Sequence, residues 1–340
     1  MKQYIIFLVL FLIVFSSCRE DEIIGEQIID QKFLIATDSD TPDLVLYDYK
    51  NGLMSNDIFF ETNNKKLSGR VTKIKEWGGL LYLLIPSAYK IEVINKDTYK
   101  SIATIDYSDK QLEPTDICFP NPTDAYVCHG NDTLVSLVDI YNMEIDQYIK
   151  VGVKPVSIAV AGNQIFVTNQ LSNSISIIDS RTIKVTTTKS FETAPSFVDV
   201  KDDWTLAFVV SLGNGKINTN NKTAAKGAIF DKETKNKLSE IELGTLKTNA
   251  VEQFPIRMIV AKNDYAFILS KTHLLRLNIE RPTSINTLKD DPYKDLVYFK
   301  LRNQLILVSE ANEVIVCNAS NAGKVYSFNP NKQITTVYPI

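Results

Sequence analysis

Apolar and polar positions alternate in short runs along most of the chain, and the tidiest copy of the pattern is Val151 to Phe191, VGVKPVSIAVAGNQIFVTNQLSNSISIIDSRTIKVTTTKSF. Four runs stand out there: Val156 to Val160, Ile165 to Thr168, Ile175 to Ile178, and a Thr-rich run from Lys184 to Phe191. Each is rich in Val, Ile, Phe or Thr and is bounded by Gly, Asn, Ser or Asp, as strands joined by tight turns are. The stretch predicts a four-stranded antiparallel meander. A sheet of that size cannot bury both of its faces alone, so it needs copies of itself on either side.

The copies are counted from the end of the third strand, where an apolar run closes on Asp48, Asn95, Asp139, Asp179, Asp231, Asn278 and Asn318. The markers fall about 40 to 50 residues apart, the period of a four-stranded propeller blade. Proline in the turn entering a unit, at Pro114, Pro155, Pro195, Pro255 and Pro292, keeps the same phase, since its fixed φ and missing N–H suit a connection. The second strands align as well, among them Leu34-Ile35-Ala36, Tyr126-Val127-Cys128, Phe166-Val167-Thr168 and Ile306-Leu307-Val308. The expected fold is all-β: a seven-bladed β-propeller of four-stranded antiparallel blades. Blade one begins at Phe33 with what reads as a second strand, and the run Ile334 to Ile340 is the spare first strand that would complete it. Closure by both chain ends leaves no unpaired sheet edge at the seam.

Phe166-Val167-Thr168-Asn169 followed by Ile177-Ile178-Asp179-Ser180-Arg181-Thr182 resembles the YVTN repeat of bacterial seven-bladed propellers, with Phe for the usual Tyr. The segment Asp43 to Ile105, with IEVINKDTYKSIATI, is similar to YncE-like surface lipoproteins of Gram-negative bacteria, a group that includes a vitamin B12-binding surface lipoprotein. The resemblance implies a cell-surface binding protein that captures a nutrient such as a corrinoid and passes it to an outer-membrane transporter. In place of the Asn/Gly-rich turns expected of the B12-binding relatives, this chain has Thr37-Asp38-Ser39-Asp40 and Pro86-Ser87-Ala88-Tyr89. Such propellers serve many purposes. A protein-interaction or surface-layer scaffold without a small ligand is the second reading, and a lactonase-like hydrolase the third.

The N-terminus changes the picture of where the protein works. Met1 and Lys2 precede the apolar stretch Tyr4 to Phe15, then Ser16, Ser17 and Cys18. The stretch is short of the roughly 20 residues of a membrane-spanning helix and fits a secretory signal. Residues 1–17 read as a lipoprotein signal peptide with Cys18 as the lipidated residue; plain cleavage near Ser17 is the alternative. Residues 18–32 form a linker and 33–340 the propeller domain. Arg19-Glu20-Asp21-Glu22 resembles an acidic export signal to the outer face of the outer membrane, or is a solvated linker. The membrane is then a partner through the lipid anchor, and the expected location is the outer membrane, facing outward.

Composition narrows the partners. A formal net charge of −3 and a pI near 5.6 argue against nucleic acid, which needs clustered positive charge. Beyond Cys18 the cysteines are Cys118, Cys128 and Cys317. Aligned on the neighbouring hairpin, Cys118 and Cys128 take positions whose ladder partners differ by an odd offset, on opposite faces and out of disulfide reach. Three free, mostly buried thiols are expected.

In a propeller the connections between blades and those joining second to third strands emerge at one end of the central channel. Ligand-binding candidates are therefore named by topology. Arg70, Thr115, Ser157, Phe197, Arg257 and Tyr293 come from the inter-blade turns; Tyr89, His129, Asn169, Gln170 and His273 come from the inner hairpins. Each has an alternative role as a turn or channel-wall residue. Arg70 and Arg257 suit phosphate or carboxylate recognition, unless they pair with carboxylates such as Asp116 or Asp199. His129 and His273, the only histidines, lie three blades apart, too far to share a metal, and no metal or cofactor is expected. Asp40 and Asp43 form an acidic pair of the kind usual in solvated turns. No nucleophile elbow, HExxH or phosphate-cradling Gly-rich loop occurs, although propeller sites assemble from distant blades and catalysis stays open. The insertion Gly213 to Lys226, rich in Asn, Gly, Lys and Thr, is either functional or merely tolerated.

Overall fold

A computed structural model describes residues 31–191, 194–213, 225–243, 255–270 and 272–340. The expected signal segment, the expected lipidation site Cys18 and most of the Gly213 to Lys226 insertion lie outside the described residues. Blade 1 contains β1 (Lys32–Thr37), β2 (Leu44–Asp48) and β3 (Leu53–Ser55), followed by the helix α1 (Ile58–Asn63). Blade 2 is β4 (Lys73–Trp77), β5 (Leu80–Ile85), β6 (Lys90–Asn95) and β7 (Ser101–Asp106); blade 3 is β8 (Pro114–Cys118), β9 (Asp124–His129), β10 (Leu134–Asp139) and β11 (Glu144–Lys150). Blade 4 is β12 (Pro155–Ala161), β13 (Gln164–Asn169), β14 (Ser174–Asp179) and β15 (Lys184–Ser190); blade 5 is β16 (Pro195–Val200), β17 (Leu206–Ser211), β18 (Lys226–Asp231) and β19 (Lys237–Glu242). Blade 6 is β20 (Pro255–Val260), β21 (Tyr265–Ser270), β22 (Leu274–Asn278) and β23 (Ile285–Lys289); blade 7 is β24 (Tyr293–Phe299), β25 (Gln304–Ser309), β26 (Val314–Asn318) and β27 (Lys324–Phe328). The last strand, β28 (Ile334–Pro339), joins blade 1 in the order β28-β1-β2-β3. The fold is the seven-bladed propeller expected, closed by its C-terminal strand.

The seven markers end the seven third strands, and the reason is local. Each Asp or Asn side chain accepts backbone N–H groups of the turn that follows, as Asp139 does from Tyr141 and Asn142 and Asn278 from Glu280 and Arg281, an Asx turn. Tyr99, Met143, Ile183, Lys235 and Ala322 then close these turns in the left-handed region, at φ between 55° and 60°. The prolines at 114, 155, 195 and 255 are the first residues of innermost strands, and a β-bulge follows each of them.

Innermost strands touch their neighbours around the ring and enclose the channel. Their side chains alternate between the two adjoining blades. Ile158 packs toward blade 3 and Ala159 toward blade 5, so each blade is buried on both faces. Seven apolar clusters fill the seven spaces between consecutive blades. Cys118 and Cys128 both lie in the cluster between blades 3 and 4, which corrects the expectation of opposite faces. The bulge after Pro114 shifts the register so that Asp116 faces Cys128 and Cys118 faces Tyr126; the offset is even. The thiols stay free because they sit on a diagonal, about 7–8 Å apart in such ladders, not opposite one another.

The seam between blades 7 and 1 is closed without a covalent bond. β28 pairs along β1, with Ile35 opposite Val337 and Ala36 opposite Thr336. Tyr47 stacks on Phe328 at 4.0 Å, and Phe33, fully buried, meets Phe328 at 5.0 Å. Asp43 is buried, not part of a solvated pair: its carboxylate accepts the N–H groups of Leu44, Phe59 and Phe60 and so fixes the start of α1. Gln31 is buried beside blade 7, with its side-chain oxygen on the Tyr326 hydroxyl.

Removal of residues 334–340 is expected to abolish the cooperative unfolding transition, and Phe33→Ala to cost about 3–5 kcal/mol. Urea denaturation followed by circular dichroism measures both.

Candidate functional site

The innermost strands are paired on one side only, so part of their backbone faces the channel or the next blade unbonded. A buried N–H left without an acceptor is costly, and polar side chains at the register position after the bulge, or two residues beyond it, supply acceptors. Asp116 on β8 accepts at Oδ2 from the Ser157 hydroxyl (3.1 Å) and the Ile158 N–H (3.3 Å) of blade 4. Ser157 in turn accepts the Val198 N–H of blade 5 at 3.2 Å. On β16 the Asp199 Oδ2 accepts the Val260 N–H of blade 6 at 2.8 Å. Arg257 on β20 donates from Nε to Asp295 Oδ1 of blade 7 at 2.8 Å.

Two lysines of β4 complete the set. Lys73 Nζ lies 2.9 Å from Asp116 Oδ1. Lys75, next on the same face, is exposed to the water of the channel although the blades surround it, and no carboxylate among the described residues stands within ion-pair distance of it. Burial works against its charge, but Asp116 and Asp199 outweigh burial and its pKa is raised. Burial alone would raise Asp116, yet Lys73 and Lys75 hold it below the usual carboxylate range. Burial raises Asp199 against the pull of Lys75 and its two N–H donors, and lowers Lys73 in spite of Asp116. Asp295 is almost fully buried, and its Oδ2 has no partner. Among the described residues this set holds three cations and three carboxylates, and the Lys75 ammonium is the one cation of the set without a direct ion pair.

Of the residues named from sequence, Arg257 and Ser157 belong to this set. Arg70 pairs with Asp38 at 3.3 Å and Arg257 with Asp295, instead of Asp116 or Asp199. Around the upper mouth, Lys294 and Glu310 join Arg70 and Asp38 as interacting charges. Gln170 donates to the Ser196 hydroxyl at 2.7 Å across blades 4 and 5. Thr115 bonds the carbonyls of Cys128 and Pro155. Phe197 is half-buried against the cluster between blades 5 and 6. Tyr89 caps a short turn in the left-handed region and leans on the cluster between blades 2 and 3. Asn169 is fully buried and bonds Ser174 and Ser176. Tyr293, 3% exposed, reaches Asp291, and His273 meets Thr272 and, at 3.5 Å, Asp290. These residues are spread over several blades of the ring. No group of three His, Cys, Asp or Glu among the described residues converges as a metal site would.

His129 is fully buried, its ring against Tyr107 at 4.6 Å and its Nε2 3.0 Å from the Ser136 hydroxyl, which also meets the Tyr107 hydroxyl at 3.0 Å. Burial drives its pKa down to about 3, so the ring is neutral. Lys73, Lys75 and Asp295 were not among the sequence candidates. The signal was present in the charged positions of Lys73-Ile74-Lys75 and Tyr293-Lys294-Asp295 at the start of inner strands.

A family model described as a domain of unknown function, DUF5074, matches residues 38–238, more than half of the chain. The chain belongs to DUF5074. No curated protein matches it. Among solved structures this DUF5074 chain is similar to hydrazine synthase of Kuenenia stuttgartiensis, at 13% identity and a TM-score of 0.65, over 79% of this chain and 95% of that one. At that identity the likeness shows the propeller fold alone, and the fold fits a binding or scaffold role.

The buried imidazole makes this DUF5074 propeller acid-sensitive. Folded His129 has a depressed pKa and the unfolded residue titrates near 6.5, so its contribution is intact above about pH 6.5 and is lost as pH falls toward 3. The loss is about 1.4 kcal/mol per pH unit, or roughly 2 kcal/mol at pH 5. His129→Gln is expected to flatten that part of the stability profile, measured by urea denaturation between pH 7.5 and 4.5.

Proposed function

We propose that this chain is a lipid-anchored cell-surface binding protein that takes an anionic small molecule at the upper mouth of its channel. The observation that carries the reading is the Lys75 ammonium: it faces water inside the channel under the pull of Asp116 and Asp199 but outside ion-pair distance of any carboxylate among the described residues, while Lys73 and Arg257 are already paired with Asp116 and Asp295. A desolvated channel strengthens a charge-assisted bond to a carboxylate or phosphate. Arg70 and Lys294 at the rim would meet the rest of the same molecule. The apolar stretch before Cys18 and the similarity to YncE-like surface lipoproteins support export, acylation and an outer-membrane position. Under this reading a nutrient is bound outside the cell and handed to an outer-membrane transporter. A corrinoid, which carries a phosphodiester, is the first ligand to try.

A thermal-shift screen of corrinoids, small carboxylates and phosphomonoesters tests the reading, since a ligand that binds only the folded protein raises its melting temperature. At least one class is expected to do so, and Lys75→Met to weaken it roughly ten- to hundredfold, the worth of one hydrogen bond to a charged group. Silence across the panel, or equal binding by Lys75→Met, contradicts the proposal and favours the scaffold reading.

A further inference from the structure

We infer that the lower end of blades 5 to 7, opposite the channel mouth with Arg70 and Lys294, is the face this propeller lays against a lipid bilayer. The inference rests on the reading of Cys18 as the acylated residue and adds a direction to it. β1 occupies the second-strand place of its blade, so it runs from the end bearing the first-to-second-strand turns toward the ligand mouth. The chain therefore enters at the lower end, and it enters beside blade 7, where Tyr326 holds Gln31. Thirteen residues of advance separate Cys18 from Gln31, a reach of at most roughly 45 Å. The tether therefore reaches the membrane from the lower end of the propeller.

That end carries large apolar side chains in water. Trp204 is 57% exposed, Leu238 58% and Leu301 82%. Trp204 and Leu301 stand on the first-to-second-strand turns of blades 5 and 7, and the two turns are tied together by Lys300 Nζ and Asp202 Oδ1 at 2.6 Å. Two residues on from Trp204, Leu206 begins an open groove of about 460 Å³ lined by Ile229, Leu238 and Ile279 together with Ser239, Glu280 and Arg281. Scattered exposed apolar residues mean little; a Trp, two Leu and a groove with both apolar and polar walls, all at the end where a tether enters, mark one face.

On this rim one ammonium, Lys201, gathers three carboxylates, so no excess of positive charge stands there. Lys201 Nζ meets Asp203 at 2.9 Å and Asp264 at 3.2 Å, with Glu280 closer still. The patch is therefore suited to the headgroup boundary by its Trp and Leu side chains, as interfacial aromatic residues are, and not by a net positive field. Insertion through Trp204 and Leu301 would hold the channel mouth facing away from the membrane.

The acylated full-length protein in phosphatidylcholine and phosphatidylethanolamine vesicles tests this directly, because the chain has two tryptophans and Trp77 stacks on Phe119. In Trp77→Phe the remaining Trp204 emission is expected to shift to shorter wavelength on anchoring, to be shielded from acrylamide, and to be quenched by lipids spin-labelled near the headgroup, with no loss at high salt. If Trp77→Phe does not fold, the difference between wild type and Trp204→Phe reports the same quantities. An anchored protein whose Trp204 is as open to acrylamide as in soluble Cys18→Ser overturns the docking face while leaving the anchor intact. Cys18→Ser that sediments with vesicles like wild type contradicts the anchor reading instead, and wild type that stays off the vesicles removes both.

Discussion

Every blade of this ring ends on a strand with one unpaired edge, and that edge points into the narrowest part of the molecule. Backbone N–H groups cannot be left there without acceptors. The chain solves the problem with side chains reaching from the preceding blade: Asp116 to Ile158, Ser157 to Val198, Asp199 to Val260. Lys73 then pairs with Asp116, Lys75 acts on both Asp116 and Asp199 from beyond ion-pair distance, and Arg257 pairs with Asp295 of blade 7. A requirement of blade packing has thus placed a compact set of charges in the channel wall, of which Lys75 is the cation without a direct ion pair among the described residues.

The second constraint is closure. Six blades are built from consecutive chain, but blade 1 borrows β28, so the ring is joined by a β ladder and by the aromatic group of Phe33, Tyr47, Tyr49, Tyr326 and Phe328. No disulfide assists among the described residues, where Cys118, Cys128 and Cys317 are all buried thiols kept protonated by burial. Closure by the first and last strands also puts the chain entry at one end and the channel mouth at the other. That polarity is what makes a tethered, outward-facing binding mouth geometrically natural.

Much of the fold was legible because its signals are local. Asp139 or Asn278 reports its own turn within three residues, and each second strand reads as a buried apolar run. The charged set was not legible in the same way, because Asp116 is completed by Ile158 and Asp199 by Val260, residues one blade further along the chain. Lys73 and Lys75 read as the polar side of an ordinary strand until the ring places them in the channel. Parity failed because the blade 4 hairpin used for the alignment itself has a bulge after Pro155, which sets Ser157 opposite Thr168 and makes the offset to Ala159 even, as the bulge after Pro114 does for Cys118 and Cys128. Asp43 was misjudged because its partners, the Phe59 and Phe60 amides, belong to a short helix that the apolar pattern did not announce.

Hydrogen exchange at the inner-edge amides tests the central claim most directly. If side chains of the preceding blade truly complete these strands, the Ile158, Val198 and Val260 amides should be protected nearly as well as those in the middle of β13 and β17, and Asp199→Ala should release Val260 selectively. Fast exchange at all three in the native protein, as at an ordinary exposed edge, would contradict it.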